Sequence, residues 1–179
     1  MTKQKHKTKY GGKPLPALAP KTHTPSTQAD SLRLNPFKQR FINDQEFHYF
    51  KVFCDTSAPH LSEYLDENLW TSVVLQASEQ ESFIRHAVIA VGALNMANIA
   101  STEPGSVEEN EKSANVGHFE FALQQYGKSI QGIRKACQMA PKSKRLILIA
   151  CLLAVCFEYS HGSNECAVAH VKNGINLRM

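Results

Sequence analysis

The sequence contains one unbroken run of 12 apolar residues, Leu146 to Phe157, and this run limits the folds that the chain can adopt. It is longer than a typical buried strand of about 4–8 residues, and it is shorter than the roughly 20 residues that a membrane-spanning helix needs. A helix with this sequence is apolar on every side, so other elements have to cover it all round. The run therefore predicts a buried core helix and no membrane span.

The first 36 residues differ in composition from the rest of the chain. They hold seven Lys and Arg residues, one acid (Asp30) and five of the eight prolines, whereas the remainder carries 13 Lys and Arg residues and 15 acids. They contain few large apolar side chains, so ordering them would cost entropy that burial does not offset. We expect a disordered, basic, proline-rich tail over residues 1–40 and a helical domain over residues 41–179. Because the excess positive charge lies in the tail, a basic nucleic-acid-binding face on the domain is not expected.

Helix signals begin directly after the tail. Asn43 followed by Glu46 matches a capping box, and Phe47, Phe50 and Phe53 then recur at helical spacing. Pro59 is predicted to end this helix, because proline lacks the N–H that a helix interior uses.

Two further helices are predicted before residue 100. Residues 61–77 carry an apolar stripe, with a break expected near Asp66 to Asn68. Ser78 and Glu81 form a second capping-box pattern, which predicts the start of an apolar helix that contains Phe83.

Apolar residues also repeat at helical spacing in the C-terminal half. One stripe steps by 4, 3, 4, 3 and 4 residues, which predicts an amphipathic helix that Pro141 ends. Its members are Phe119, Leu123, Tyr126, Ile130, Ile133 and Cys137. The stripe is shorter than the three or four heptads of a coiled coil, so core packing is the favoured interpretation.

The rest of the chain completes a helical fold class. His161 to Ser163 are predicted as a turn, and one more helix follows from near Asn164. No segment alternates with period two for long enough to form a sheet. We therefore predict an all-α protein, an array of antiparallel helical hairpins.

The sequence lacks motifs for catalysis or metal binding. The five cysteines contain no C-x-x-C pair, so reduced structural thiols in an intracellular protein are expected, and no zinc. No phosphate loop, dinucleotide fingerprint or G-x-S-x-G elbow occurs. His86, His170 and Glu158 are interpreted as packing or pairing residues. We predict no catalytic, cofactor-binding or metal-ligating residue and no cofactor, and we expect that the protein is not an enzyme.

Five strings occur in an order that resembles a known family. They are EFHYFKVF (Glu46 to Phe53), LSEYLDENLWTSVVLQAS (Leu61 to Ser78), FIRHAVIAVGAL (Phe83 to Leu94), ALQQYGKSIQGIRKA (Ala122 to Ala136) and LILIACLLAVCFEYSHGSNECAVAHVKNGINL (Leu146 to Leu177). Together they resemble the N-terminal part of the fungal-specific transcription factor domain, the helical regulatory region of many fungal zinc binuclear-cluster proteins. The resemblance covers about residues 40–179 and implies a nuclear, transcription-regulating role.

The sequence also departs from that family. Six closely spaced cysteines hold the DNA-contacting zinc cluster in such proteins, whereas the first cysteine here is Cys54. We therefore expect that the zinc cluster is absent, that this chain alone binds no specific DNA, and that the domain is incomplete at its C-terminus. Within the resemblance, Arg85 and His86 are expected to bond to neighbouring loops, Gly92 to admit another helix, and His170 with Gly174 to face the apolar helix.

Partners are expected at an uncovered helix face. Ala167, Val171, Gly174 and Ile175 share one face of the last helix, where an exposed apolar patch would drive association. We expect protein partners or self-association through such faces, and no membrane. Two alternatives remain: a helical interaction module that touches nucleic acid non-specifically through its basic tail, and a small-molecule enzyme.

Overall fold

A computed structural model describes residues 40–102, 109–138 and 144–176, and within these ranges the protein is all-α with no strand. The predicted fold class is therefore confirmed. The described residues belong to one compact unit, Pro36–Met179, and the predicted tail lies outside them except for Arg40. The helices are α1 (Asp44–Val52), α2 (Ala58–Ser62), α3 (Val74–Gln80), α4 (Ser82–Thr102), α5 (Glu109–Gln138), α6 (Lys144–His161) and α7 (Asn164–Asn176), with π-helical turns at Phe53–Ser57 and Leu69–Val73.

Helix α1 begins at the predicted cap. Asn43 Oδ1 accepts a hydrogen bond from the Glu46 N–H at 2.8 Å, and Glu46 Oε2 accepts one from the Ile42 N–H at 3.0 Å. These two bonds resemble the reciprocal pair of a capping box, except that the Glu46 side chain accepts from the N–H of Ile42 and not from that of the cap residue Asn43. The prediction that Pro59 ends the helix is wrong, because the chain continues through a π-helical turn and Pro59 lies in the first turn of α2. Proline has no N–H to donate there, and the wider π turn changes the bonding register before it.

The start of α4 differs from the predicted capping box. Ser78 lies inside α3, where its hydroxyl donates to the Leu75 carbonyl oxygen at 2.7 Å. Helix α4 begins at Ser82, after Glu81 in an extended conformation. Serine satisfies its hydroxyl by this back-bonding within a helix as well as by capping one. The break predicted near Asp66 to Asn68 lies slightly earlier, at residues 63–66, and Asp66 Oδ1 accepts from the Leu69 N–H at 3.3 Å.

The central helix is α4, which contacts α1, α3, α5 and α6. Among the described residues it is the one helix long and apolar enough to cross a membrane, yet 61% of that window is buried inside the protein, as in a core helix. Residues 146–157, which the sequence predicts as a buried core helix, form most of α6. The core position is confirmed by the buried Ile149, Leu153 and Phe157, but the cover is incomplete, because Leu148 near the start of α6 is 37% exposed.

Two glycines allow other helices to approach α4 closely. A Cβ on Gly92 would overlap the Tyr49 carbonyl oxygen of α1 and lie 3.1 Å from the Phe53 backbone nitrogen. A Cβ on Gly132 of α5 would overlap the Phe83 Cβ of α4. Only glycine permits such contacts, and the predicted role of Gly92 is confirmed.

Helix α5 packs antiparallel to α4 through a face of small and polar residues. The buried members of this face are Ala122, Gln125, Ser129 and Ala136. The apolar stripe that the sequence predicts as core lies beside this face and is only partly buried: Leu123 is 42% exposed, and Cys137 is exposed as well. Pro141 lies outside the described residues, and α5 ends at Gln138.

Helices α6 and α7 form a hairpin with a tight turn. Gly162 has φ +89°, the Ser163 N–H donates to the Glu158 carbonyl oxygen at 2.8 Å, and the Gly162 N–H donates to the Tyr159 carbonyl oxygen at 3.1 Å. These bonds define a Schellman C-cap, whose left-handed residue is usually glycine. The predicted turn at residues 161–163 is confirmed.

Candidate functional site

A buried carboxylate links α1, α4 and α5. Glu46 is 3% exposed, and its Oε1 accepts a hydrogen bond from Gln125 Nε2 at 3.1 Å, with Lys128 Nζ 3.8 Å from the same oxygen. Gln125 Oε1 lies 2.6 Å from His86 Nδ1. Because an amide oxygen only accepts, His86 donates through Nδ1.

This first network is satisfied within the protein. Burial lowers the pKa of His86, which outweighs the opposite effect of its hydrogen bond to Gln125. The neutral imidazole therefore acts as a packing group between two helices, as the sequence predicts, but its hydrogen bond goes to Gln125 of helix α5 and not to a neighbouring loop as expected. Arg85 beside it donates to the Ser78 carbonyl oxygen at 2.9 Å, close to the α3–α4 junction.

A second network links α5, α6 and α7. Tyr126 donates its phenolic proton to Glu158 Oε1 at 2.6 Å, and its ring stacks on Phe157 with centroids 4.1 Å apart. Burial, together with the Glu158 carboxylate, raises the pKa of Tyr126, so the hydroxyl stays protonated. With its proton directed at Glu158, the Tyr126 oxygen accepts from His170 Nε2 at 3.1 Å. His170 therefore pairs with α5, whereas Gly174 lies against Leu148 and Cys151 of α6.

An open groove lies beside the second network, between the C-terminal half of α5, the N-terminal half of α6, and α7. We call it the inner groove, and its volume is about 560 Å³. Its apolar lining consists of Ile130, Ile133, Cys137, Ile147 and Cys151. Its polar lining consists of Arg134, Gln138, His170, Asn173 and Asn176. The C-terminal half of the predicted stripe (Ile130, Ile133 and Cys137) thus forms one wall of this groove, whereas Phe119 and Tyr126 pack against the core.

A second groove, the outer groove, of about 400 Å³, lies on the other side of α7. It shares Cys151 and His170 with the inner groove, and its remaining lining is Leu148, Leu152, Val155, Val171, Gly174 and Ile175. The predicted uncovered face of α7 is partly correct: Val171 and Ile175 are 45% and 54% exposed. Ala167 and Gly174 are instead buried, because their small size lets α7 pack on α6.

Basic side chains border the grooves. Arg134 lines the inner groove, and the exposed Lys144 and Arg145 occupy the first turn of α6, which carries no acid. Lys172 is exposed one turn before Asn176. Within the described part of the chain none of these four cations forms an ion pair with a carboxylate. Glu158 is engaged by Tyr126.

The described cysteines are free thiols without a metal-site arrangement. Within the described ranges, no three His, Cys, Asp or Glu residues come together in a group that could hold a metal ion. Burial raises the pKa of Cys156 to about 12 and that of Cys54 to about 11, so both stay protonated at neutral pH. Cys137 and Cys166 are exposed.

The two grooves and the convergence of Tyr126, Glu158 and His170 are not predictable from the spacing of the residues. Both depend on which helices become neighbours. One signal for the inner groove is present in the sequence. Arg134 follows Ile133, so a charged side chain lies beside the apolar stripe, and charged side chains are rarely fully buried.

In this helical domain the polar side chains of both networks bond to one another, whereas the apolar grooves are open to solvent. These features are compatible with a domain that contacts other proteins. Residues 47–178 match the family model of the fungal specific transcription factor domain. The chain belongs to this family, which confirms the resemblance and supports a role like that of a transcription regulator. No curated protein and no solved structure matches the chain.

Proposed function

We propose that this chain is a non-enzymatic, nuclear regulatory domain that contacts other proteins through the inner and outer grooves. The observation that carries the proposal is the pair of open apolar grooves flanking α7, where Val171 and Ile175 are about half exposed. Monomeric soluble proteins rarely leave contiguous apolar patches uncovered, and such patches mark interaction sites. Family membership supports the connection to transcription.

The lining of the grooves supports a binding role over catalysis. Its polar side chains are one arginine, one histidine and three amides, with no carboxylate and no hydroxyl among the described lining residues. The histidine, His170, is bonded to Tyr126. The lining also holds the thiols of Cys137 and Cys151, and burial raises the pKa of Cys151, which opposes the activation that nucleophilic catalysis requires.

The remaining parts of the proposal rest on sequence. Residues 1–40 are proposed to be a disordered basic tail that precedes the domain of residues 41–179, and the opening KQKHKTK offers a basic segment for nuclear import. The proposed domain binds no specific DNA by itself, because its own charge is slightly negative.

A tethering experiment tests the proposed function. The full chain is fused to a DNA-binding domain of known operator in a fungal host, and transcription of a reporter is measured. We expect reporter output to change at least threefold upon tethering and to return to baseline with Val171→Glu. The matched control is Leu65→Glu, since Leu65 is 47% exposed but lies in the turn after α2.

Two results would contradict the proposal. Tethering without any effect on the reporter would remove the regulatory role. Equal loss with Val171→Glu and Leu65→Glu would show that the grooves are not the contact surface. Sedimentation of the purified chain distinguishes self-association from binding to a different protein. A dimer that Val171→Glu dissociates would identify a second copy of this chain as the partner.

A further inference from the structure

The inner groove combines an apolar lining with uncompensated positive charge. Building on the proposed function, we propose that its partner is an amphipathic helix whose apolar face is flanked by carboxylates. The α5 wall presents Ile130, Ile133 and Cys137 at spacings of three and four, and the α6 wall presents Ile147 and Cys151 four apart. Two helical walls of this kind accept a third helix, whose apolar residues at positions i, i+3, i+4 and i+7 pack between them.

The positions of the cations set the charge of the partner. Arg134 lies in the lining itself. Lys144 precedes Ile147 by three residues and Cys151 by seven, so it shares their face of α6, and Arg145 shares the face of Leu148. On α7, Lys172 lies one turn before Asn176 of the lining.

None of these four cations forms an ion pair with a described carboxylate. On α6 and α7, Glu158 accepts the proton of Tyr126, and Glu165 is in the first turn of α7, eight residues before Asn173, which is about 12 Å along a helix. An acidic helix in the inner groove would therefore meet Arg134, Lys144 and Lys172 without ion-pair partners, with Arg145 on the neighbouring outer-groove face, whereas a basic partner would meet like charge.

The helix dipole of α6 adds to the same positive field. Lys144 and Arg145 occupy the first turn of α6, where a helix favours acids over cations and where this helix has no acid. This arrangement is unfavourable for the isolated domain, and carboxylates of a bound helix would relieve it. The proposed partner thus compensates two features at once, the exposed apolar walls and the positive charge.

The test uses a designed probe and the full chain. The probe is a fluorescein-labelled peptide of 18 residues with Leu at i, i+3, i+4 and i+7 repeats and Glu at the flanking positions. One control peptide carries Lys in place of every Glu, and another has the residues of the probe in shuffled order. By fluorescence polarisation, we expect the Glu peptide to bind at least tenfold more tightly than either control and to weaken as salt is raised.

Variants then locate the binding site. Arg134→Glu combined with Lys144→Glu should weaken binding of the Glu peptide at least tenfold and strengthen binding of the Lys peptide. Both residues are exposed, so the fold is expected to persist, which circular dichroism checks. The control is Lys51→Glu on α1, an exposed cation away from the grooves, which should leave both affinities unchanged.

The outcomes separate this inference from the proposed function. Equal binding of the Glu and Lys peptides, or unchanged affinity in the double variant, would overturn the acidic partner. If tethering responds to Val171→Glu while the Glu peptide does not bind, the proposed function stands and the partner has other chemistry. A dimer in sedimentation that the Glu peptide fails to dissociate would likewise overturn the inference, since a second copy would then occupy the groove.

Discussion

Replacing Gly92 by alanine tests how α1 is held against α4. Within a helix, alanine is normally more stable than glycine by about 1 kcal/mol. At Gly92, however, a Cβ would overlap the Tyr49 carbonyl oxygen and lie 3.1 Å from the Phe53 nitrogen. Both are backbone atoms where α1 passes into its π-helical turn. They cannot rotate aside as the end of a side chain can, so α1 as a whole has to shift.

The expected magnitude follows from these opposing effects. Overpacking a core typically costs about 1–3 kcal/mol, and backbone obstruction places Gly92→Ala at the upper end of that range. Subtracting the propensity gain of about 1 kcal/mol leaves a net loss of about 2 kcal/mol in the free energy of unfolding. For a protein of this size, the loss lowers Tm by about 4–8 °C.

Trp70 provides the assay. It is the single tryptophan and is fully buried, so its fluorescence reports unfolding of the full chain during heating. The matched control is Gly127→Ala in α5, where a Cβ would meet nothing within 4 Å. This control should gain the full helix-propensity difference of about 1 kcal/mol between alanine and glycine, which raises Tm by about 2–4 °C. A Tm of Gly92→Ala at or above that of the wild type would refute the close approach of α1 to α4.

Three further predictions concern burial. Because burial lowers the pKa of His86, the unfolded state binds a proton more readily. The stability that neutral His86 contributes is complete above the unfolded pKa of about 6.5 and is lost as the pH falls through the lower folded pKa. The urea midpoint of unfolding should therefore drop between pH 7.5 and pH 5.5. It should drop less in His86→Gln, which lacks the titrating group. Leu153→Asp should abolish folding because Leu153 is fully buried, whereas Leu148→Asp should leave a folded protein because Leu148 is 37% exposed. Equal behaviour of the two variants would contradict the orientation of α6. Iodoacetamide at pH 7.5 should alkylate exposed Cys137 at least tenfold faster than Cys156, whose pKa is raised to about 12, and mass spectrometry of the digested protein would expose the opposite order.

Local signals in the sequence predicted local structure well. The Asn43 cap, the turn at Gly162 and the helical character of every described segment depend on residues within a few positions of one another. Such interactions are encoded by spacing alone. The strings that resemble the family indicated which family the chain belongs to, and the match over residues 47–178 confirmed it.

The same local signals failed where two structures compete for one residue. Ser78 can cap a following helix or bond back within its own, and burial against α4 favours the second. Pro59 ends a regular α-helix but is accommodated after a π-helical turn. Neither choice is visible in the spacing of the residues.

The prediction that the α5 stripe packs in the core is only partly correct, and the reason is packing: Phe119, Tyr126 and Ile133 pack against the core, whereas Leu123 and Cys137 are exposed. Hydrophobic periodicity shows that a helix face is apolar, but it does not show which neighbour covers that face. Here Ala122, Gly132 and Ala136 let the backbones of α5 and α4 approach closely. The larger Ile130 and Ile133 then project to the side, into the inner groove.

The charge reversal Lys144→Glu separates binding from stability at the inner groove. In the first turn of α6, an acid in place of a cation interacts favourably with the helix dipole, which is worth about 0.3–1 kcal/mol at an exposed site. The free domain should therefore become slightly more stable, with Tm higher by about 1–4 °C, while its affinity for the Glu peptide falls. A purely structural role of Lys144 would lower Tm instead. Thermal unfolding followed by Trp70 fluorescence and fluorescence polarisation of the peptide measure the two effects on one variant. A higher Tm together with a lower affinity would mean that the basic first turn of α6 destabilises the free domain and binds the partner.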